Sequence, residues 1–188
     1  LILSNPSTNA TIIDAAGEGT IINDDELTVS ASIGNASIVE GNSGTTILSF
    51  PVTISEAHPL QGVLLEVTDL NTGSATSNSD YTALPQTTLS FLPETTELTQ
   101  QVEVTVIGDV EIEPDESILL SLTAVTPNAT VSQGTGTGTI VNDDVVGVSI
   151  SDVTVNEGTG PDTVFSFDVS LDRPNPIAAV TMNVTTQN

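Results

Sequence analysis

Leu48-Ser49-Phe50-Pro51-Val52-Thr53-Ile54 alternates apolar side chains with small polar ones or proline at every step. A period of two puts Leu48, Phe50, Val52 and Ile54 on one face of an extended strand and the others on the opposite face. The same alternation runs through Val102, Val104 and Val106 and through Ile118, Leu120 and Leu122. Further strands are expected at 27–33, 62–69, 87–91 and 136–141. Turn signals separate them, among them Asn71-Thr72-Gly73, Leu92-Pro93-Glu94 and Thr126-Pro127-Asn128. No segment carries a 3.6-residue period with caps. About seven strands in roughly 115 residues predict an all-β chain folded as an immunoglobulin-like two-sheet β-sandwich. Pro51 has no N–H to give to a ladder, so its strand is expected to be locally an edge or to carry a bulge.

The deciding stretch has a second copy. Phe165, Phe167, Val169 and Leu171 lie 117 residues beyond Leu48, Phe50, Val52 and Ile54, and Glu157-Gly158 lies 117 beyond Glu40-Gly41. Asn9-Ala10-Thr11-Ile12 and Gly19-Thr20-Ile21-Ile22-Asn23-Asp24-Asp25 return 119 residues later. Their counterparts are Asn128-Ala129-Thr130-Val131 and Gly138-Thr139-Ile140-Val141-Asn142-Asp143-Asp144. Separate segments with nearly one period indicate duplication and a tandem array. Residues 26–144 are read as one complete repeat, 1–25 as the last strands of a preceding copy, and 145–188 as the first strands of a following one. The chain therefore reads as a window of something longer, its flanks completed by further sequence or by a neighbouring subunit. Asp143-Asp144 runs into Val145 with no spacer, so neighbouring repeats are expected to touch.

Composition narrows the function. Lys and Arg total 1 against 25 Asp and Glu, a formal net charge of −24, and the one cation is Arg173. Phosphate backbones and anionic lipid are repelled by such a surface, so no nucleic acid partner and no direct membrane insertion are expected. With 37% apolar residues and a mean hydropathy of +0.17 the chain can still build a core. Cysteine is absent, which excludes disulfides and thiolate metal sites. One His and no Cys leave little for a nucleophilic triad, and 3% aromatics with no Trp do not wall a sugar cleft. The chain is read as not an enzyme.

The carboxylates fall mostly in turns. If the segment ending at Glu40 pairs in parallel with the last strand, Glu40 and Asp143-Asp144 meet at one pole, and the turns at Asp80 and 109–113 can open there too. Like charges that close need a cation. Oxygen donors without His or Cys suit Ca²⁺, which takes 6–8 oxygens at about 2.3–2.6 Å, better than Mg²⁺, which keeps a stricter octahedron. Glu111, Asp115 and Glu116 are read as facing solvent, His58 as a surface residue, and Tyr81 as a plug at the end of the core.

Val39-Glu40-Gly41, Ser79-Asp80-Tyr81, Phe91-Leu92-Pro93-Glu94, the acidic turn 109–116 and the closing Asn142-Asp143-Asp144 together resemble a Calx-β domain. That family occurs in the regulatory regions of sodium–calcium exchangers and in large bacterial surface and adhesin proteins. The resemblance implies Ca²⁺ as the bound ion and Glu40, Asp80, Asp109, Glu113, Asp143 and Asp144 as its ligands. Two departures, neutral Asn142 and Gly108 in place of an acidic residue, imply fewer ions or a weaker site, about 10⁻⁴–10⁻³ M as in extracellular modules.

Two functions follow. The first is a calcium-binding structural repeat of a long extracellular adhesin, matrix protein or filament. There Ca²⁺ would rigidify the junctions, the partners would be neighbouring repeats or subunits in a linear array, and a cell-surface or matrix partner is possible. The alternative is a Ca²⁺-sensing regulatory domain of a membrane transporter. A lysine-free, Thr- and Asn-rich composition favours the first.

Overall fold

The computed structural model describes residues 1–22 and 27–187. The expected first boundary, between Asp25 and Glu26, lies outside the described residues, as does the Asn23-Asp24-Asp25 motif. Among the described residues there are eleven strands: β1 (Val29–Ile33), β2 (Ala36–Val39), β3 (Gly44–Ile54), β4 (Val63–Asp69), β5 (Thr87–Phe91), β6 (Thr99–Gly108), β7 (Glu116–Ala124), β8 (Ala129–Gln133), β9 (Thr135–Val141), β10 (Val148–Ile150) and β11 (Val169–Leu171). Helices are absent among the described residues.

The strands β1–β9 form a two-sheet sandwich, with one sheet in the order β6-β3-β1-β8 and the other β2-β9-β7-β4-β5. It has nine strands rather than seven. The two additional strands, β2 and β8, lie outside the expected ranges 27–33 and 136–141 and each joins the sheet opposite its neighbour. β1 and β2 are the two halves of the entering strand, separated at Gly34-Asn35. β8 and β9 are the two halves of the closing segment, and β8 was not anticipated because 129–133 is short and lacks a clean alternation. Both halves pair in parallel, β1 with β8 and β2 with β9. The sandwich's first and last strands are thereby zipped together in both sheets, so the domain closes on itself.

The alternation read along β3 is carried out in space. Phe50 and Val52 are fully buried, with Leu48 and Ile54 at 1% exposure, against Val104, Val106, Leu120 and Ile140. Each such side chain contributes about 1.5–3 kcal/mol on burial. Gly138 sets the closeness of the sheets: a Cβ there would stand 2.5 Å from the Phe50 ring and 2.6 Å from Leu48. Pro51 sits where the chain needs no donor. Its carbonyl accepts from Gly34 N at 2.8 Å, just where β1 ends, so its ring nitrogen faces the vacated side while the β3–β6 ladder runs past it unbroken. A central strand is thus an edge for one residue.

The flanks repeat the middle domain's registers. Ile2 bridges Ala16, and 119 residues on Ser121 pairs with Thr135. Leu3 N donates to Ala15 O, as Leu122 N does to Gly134 O, and Ala10 N donates to Ser7 O, as Ala129 N does to Thr126 O. At the other end β10 pairs with β11 as Val148↔Leu171, Ser149↔Ser170 and Ile150↔Val169. Shifted by 117, this is the β1–β3 register Ala31↔Ile54, Ser32↔Thr53 and Ile33↔Val52. The flanks bury little: Ile13 and Ile21 are almost fully exposed, and Phe165 and Phe167 are each 54% exposed.

Candidate metal centre

Strand pairing alone brings the acidic residues to one pole. β2 and β9 run in parallel register through Val39↔Val141, so Glu40 and Asn142 emerge side by side, and Glu40 N donates to Val141 O at 3.2 Å. The next residues interlock: Gly41 N donates to Asp143 Oδ1 at 3.1 Å, and Asn42 Nδ2 to Asp144 Oδ1 at 2.8 Å. β6 ends at Gly108 opposite Gly44, which delivers Asp109 to the same pole. Asp80 hangs beside that strand, its carbonyl accepting from Ile107 N at 2.8 Å. Its carboxylate caps the tight turn before it, taking Thr76 N at 2.5 Å. Glu116 opens β7 opposite Ile140, and Glu113 comes from the turn between β6 and β7.

All six residues expected as ligands lie at this pole, in two groups that adjoin. Oxygens of Asp80, Glu113 and Glu116 fall within 4.8 Å of one another. Glu40 is surrounded by Asp109, Asp144, Glu113 and Asp143. Glu116 corrects the sequence reading, which had it facing solvent. Its position at the start of β7, two residues before the buried stripe beginning at Ile118 and so on the same face, points it inward, and that register was the signal available. Glu111 and Asp115 are exposed as expected. Asp109 Oδ1 accepts Glu111 N at 2.7 Å and Asp115 Oδ1 accepts Asn142 N at 3.2 Å, so both carboxylates shape the turns around the cluster.

Glu40, Asp80 and Asp144 are buried, at 4%, 6% and 9% exposure. Burial, then the charges of Asp109, Asp144, Glu113 and Asp143, push the Glu40 carboxyl up to about 7. Burial also leads for Glu116, followed by a hydrogen bond and charge from Asp80 and the charges of Glu113 and Glu40, and its carboxyl rises to about 8. Glu113 is raised as well, by burial and by Asp80, Asp109 and Glu111. Two carboxylates 4.8 Å apart repel by about 3 kcal/mol at an effective dielectric near 20. No Lys lies anywhere in the chain to offset them.

Whether a cation fits is answered by the oxygens that have no partner. Glu40 Oε1 and Asp144 Oδ2 are both buried and make no hydrogen bond. An unpaired buried carboxylate oxygen costs several kcal/mol unless a cation takes it. The donor set, all oxygen with no nitrogen or sulfur, is that of Ca²⁺. The pole fits a hard divalent ion, and its holders would be Glu40, Asp80, Asp109, Glu113, Asp143 and Asp144, joined by Glu116.

Two neighbours have structural roles. Tyr81 closes the core at 2% exposure, as expected, and donates to Asp69 Oδ2 at 2.8 Å, which, after burial, helps raise its hydroxyl to about 12. His58, read as a surface residue, is buried at 8%. Its Nδ1 accepts from Leu60 N at 3.1 Å and Gln61 N at 3.0 Å, so the ring is the internal cap of the β3–β4 turn. Gly108, read as a missing ligand, has a steric reason to be glycine. A Cβ there would lie 2.2 Å from Gly41 O and 2.7 Å from Glu40 O, so the backbone that presents Glu40 occupies the place of any side chain.

Among solved structures, the apo-form Calx CBD1 domain is 19% identical with a TM-score of 0.50, covering 62% of this chain and 99% of that one. The CBD12 structure from CALX1.2 is 21% identical with a TM-score of 0.51, covering 63% of this chain and 45% of that one. At these identities the likeness is one of fold. No curated protein matches the chain. The sequence itself matches the Calx-beta domain family over residues 23–145, a span that includes every residue of the acidic pole and both sheets, and the chain belongs to that family.

Proposed function

We propose that this chain is a calcium-binding structural repeat from a linear array of like domains, outside the cell, with Ca²⁺ stiffening the pole where one repeat passes to the next. The observation that carries the reading is the pair of buried, unpartnered oxygens on Glu40 and Asp144. Asp144 is both a member of the cluster and the last residue before the following segment, so an ion there ties the end of one repeat to the start of its neighbour. The recurring registers of the flanks, at offsets of 119 and 117, support an array of like units. The role is one of binding. Nothing in the cluster pairs a nucleophile with a base.

Isothermal calorimetry of the chain with CaCl₂, against MgCl₂, tests the ion. Heat from Ca²⁺ with a Kd of about 10⁻⁴–10⁻³ M and much weaker Mg²⁺ binding is expected; no Ca²⁺ heat at millimolar concentration overturns the site. A second reading, a Ca²⁺-sensing regulatory domain of a membrane transporter, has the family in its favour. No helix among the described residues is long and apolar enough to cross a membrane. The two readings separate on the complete protein: many further repeats support the array, and transporter spans support the sensor.

A further inference from the structure

The chain's one basic residue is used at the joint between repeats. We propose that the outer face of the acidic turn 110–114 is a socket for the β3–β4 turn of the following repeat, here residues 173–177, with Arg173 as its pin. This rests on reading 145–188 as the start of another repeat.

The Arg173 guanidinium donates to the carbonyl of Val110, across the boundary at Asp144. A cleft lies between the two turns, with Val110, Ile112 and Glu113 on one wall and Arg173, Pro176 and Ile177 on the other. Ile112 is 7% exposed, yet it stands apart from the sandwich's core cluster. It lines the cleft together with Pro114 of its own turn and with Pro174, Pro176 and Ile177 of the segment across it. The base of the pin is anchored at the boundary itself. Asp172 N donates to Gly147 O at 3.0 Å, Asp172 Oδ1 accepts from Gly147 N at 2.9 Å, and Arg173 Nε lies 3.8 Å from the same carboxylate.

The inserted turn is a feature of the repeat. Asn175 Oδ1 accepts Ile177 N at 3.0 Å and Ala178 N at 3.2 Å. In the middle repeat, 117 residues earlier, His58 Nδ1 accepts Leu60 N and Gln61 N in the same pattern. The middle domain and the following segment thus carry the same pre-shaped turn, and the middle domain presents its acidic turn at the opposite, leaving end. Arginine suits the task because its planar fork satisfies a backbone carbonyl while its charge sits beside an uncompensated acidic surface. Glu113 of this turn and Asp109 just before it belong to the acidic cluster, so the joint and the cluster share one loop.

The test is ¹⁵N relaxation on the full chain with EGTA present, comparing wild type with Arg173→Ala and Ile112→Ser. In wild type, amides of β10, β11 and 173–178 are expected to have order parameters near 0.85, like those of β3 and β6. In either variant those of the following segment should fall below about 0.6, while β3 and β6 stay unchanged, which shows the sandwich intact. Unchanged order parameters in both variants, or a following segment already independent in wild type, overturn the latch. Working without Ca²⁺ keeps this outcome separate from the calorimetric test of the ion.

Discussion

Replacing Glu40 by Gln should raise stability without calcium and lower it with calcium. In the folded chain the Glu40 carboxyl is held at about 7, against an ordinary 4.5, by burial and four neighbouring carboxylates. A raised folded value means the folded state keeps its proton longer. Stability is therefore undiminished below about pH 4.5 and is lost as pH rises through about 7. The gap between the two values corresponds to about 3 kcal/mol above pH 8. Allowing half for relaxation and screening leaves about 1–2 kcal/mol, or roughly 4–8 °C in melting temperature for a domain of this size. Gln carries no charge and its amide can donate to the surrounding carboxylates. In EGTA at pH 8 Glu40→Gln should melt higher than wild type by that amount, and at pH 4.5 the two should nearly coincide. In millimolar CaCl₂ the order should reverse, with Ca²⁺ affinity down at least about tenfold because a buried ligand oxygen is gone. Calorimetric melts at two pH values, each with EGTA and with CaCl₂, supply all four comparisons. A variant that melts lower than wild type in every condition refutes the reasoning, since Glu40 would then be a structural carboxyl satisfied within the protein.

Wild-type chain in EGTA should lose melting temperature steadily from pH 5 to pH 8, because Glu40 and Glu116 are raised to about 7 and about 8; a flat profile contradicts the like-charge cluster. Ca²⁺ at about 100 times its Kd should add roughly 2.7 kcal/mol to unfolding stability, read as a melting shift that chelation reverses. Gly108→Asp, which adds the carboxylate of stronger binders, should weaken Ca²⁺ binding and lower the melting temperature, because its Cβ would stand 2.2 Å from Gly41 O; tighter binding in that variant would show that the strand end can move. Leu120→Ala, at a fully buried site, should cost about 2–5 kcal/mol, measured by urea unfolding.

The sequence by itself was enough for the all-β class, for the recurrence that suggests a repeat, and for naming six carboxylates that the fold gathers at one pole. Each of these depends on local spacing. Alternation along 48–54 determines a strand wherever it is placed, and a recurrence at 117 or 119 residues needs no coordinates. The turn character of Asp80, 109–113 and 143–144 followed from where the alternation stops. What only the tertiary structure decided depends on which backbone lies beside which. The splitting of the first and last strands between sheets, with β2 and β8 as the extra members, follows from parallel pairings 100 residues apart, and no local pattern encodes them. His58 reads as a turn residue until the β3–β4 loop folds over its ring. Glu116 looks like one more acid in an acidic turn, but opposite Ile140 at the head of β7 it is carried into the cluster. Gly108 resembles a lost ligand in one dimension, and in three it is the space through which the Glu40 backbone passes. Periodicity fixes the direction of a side chain relative to its own strand; what that side chain meets is set by long-range pairing, and the chemistry of this pole resides there.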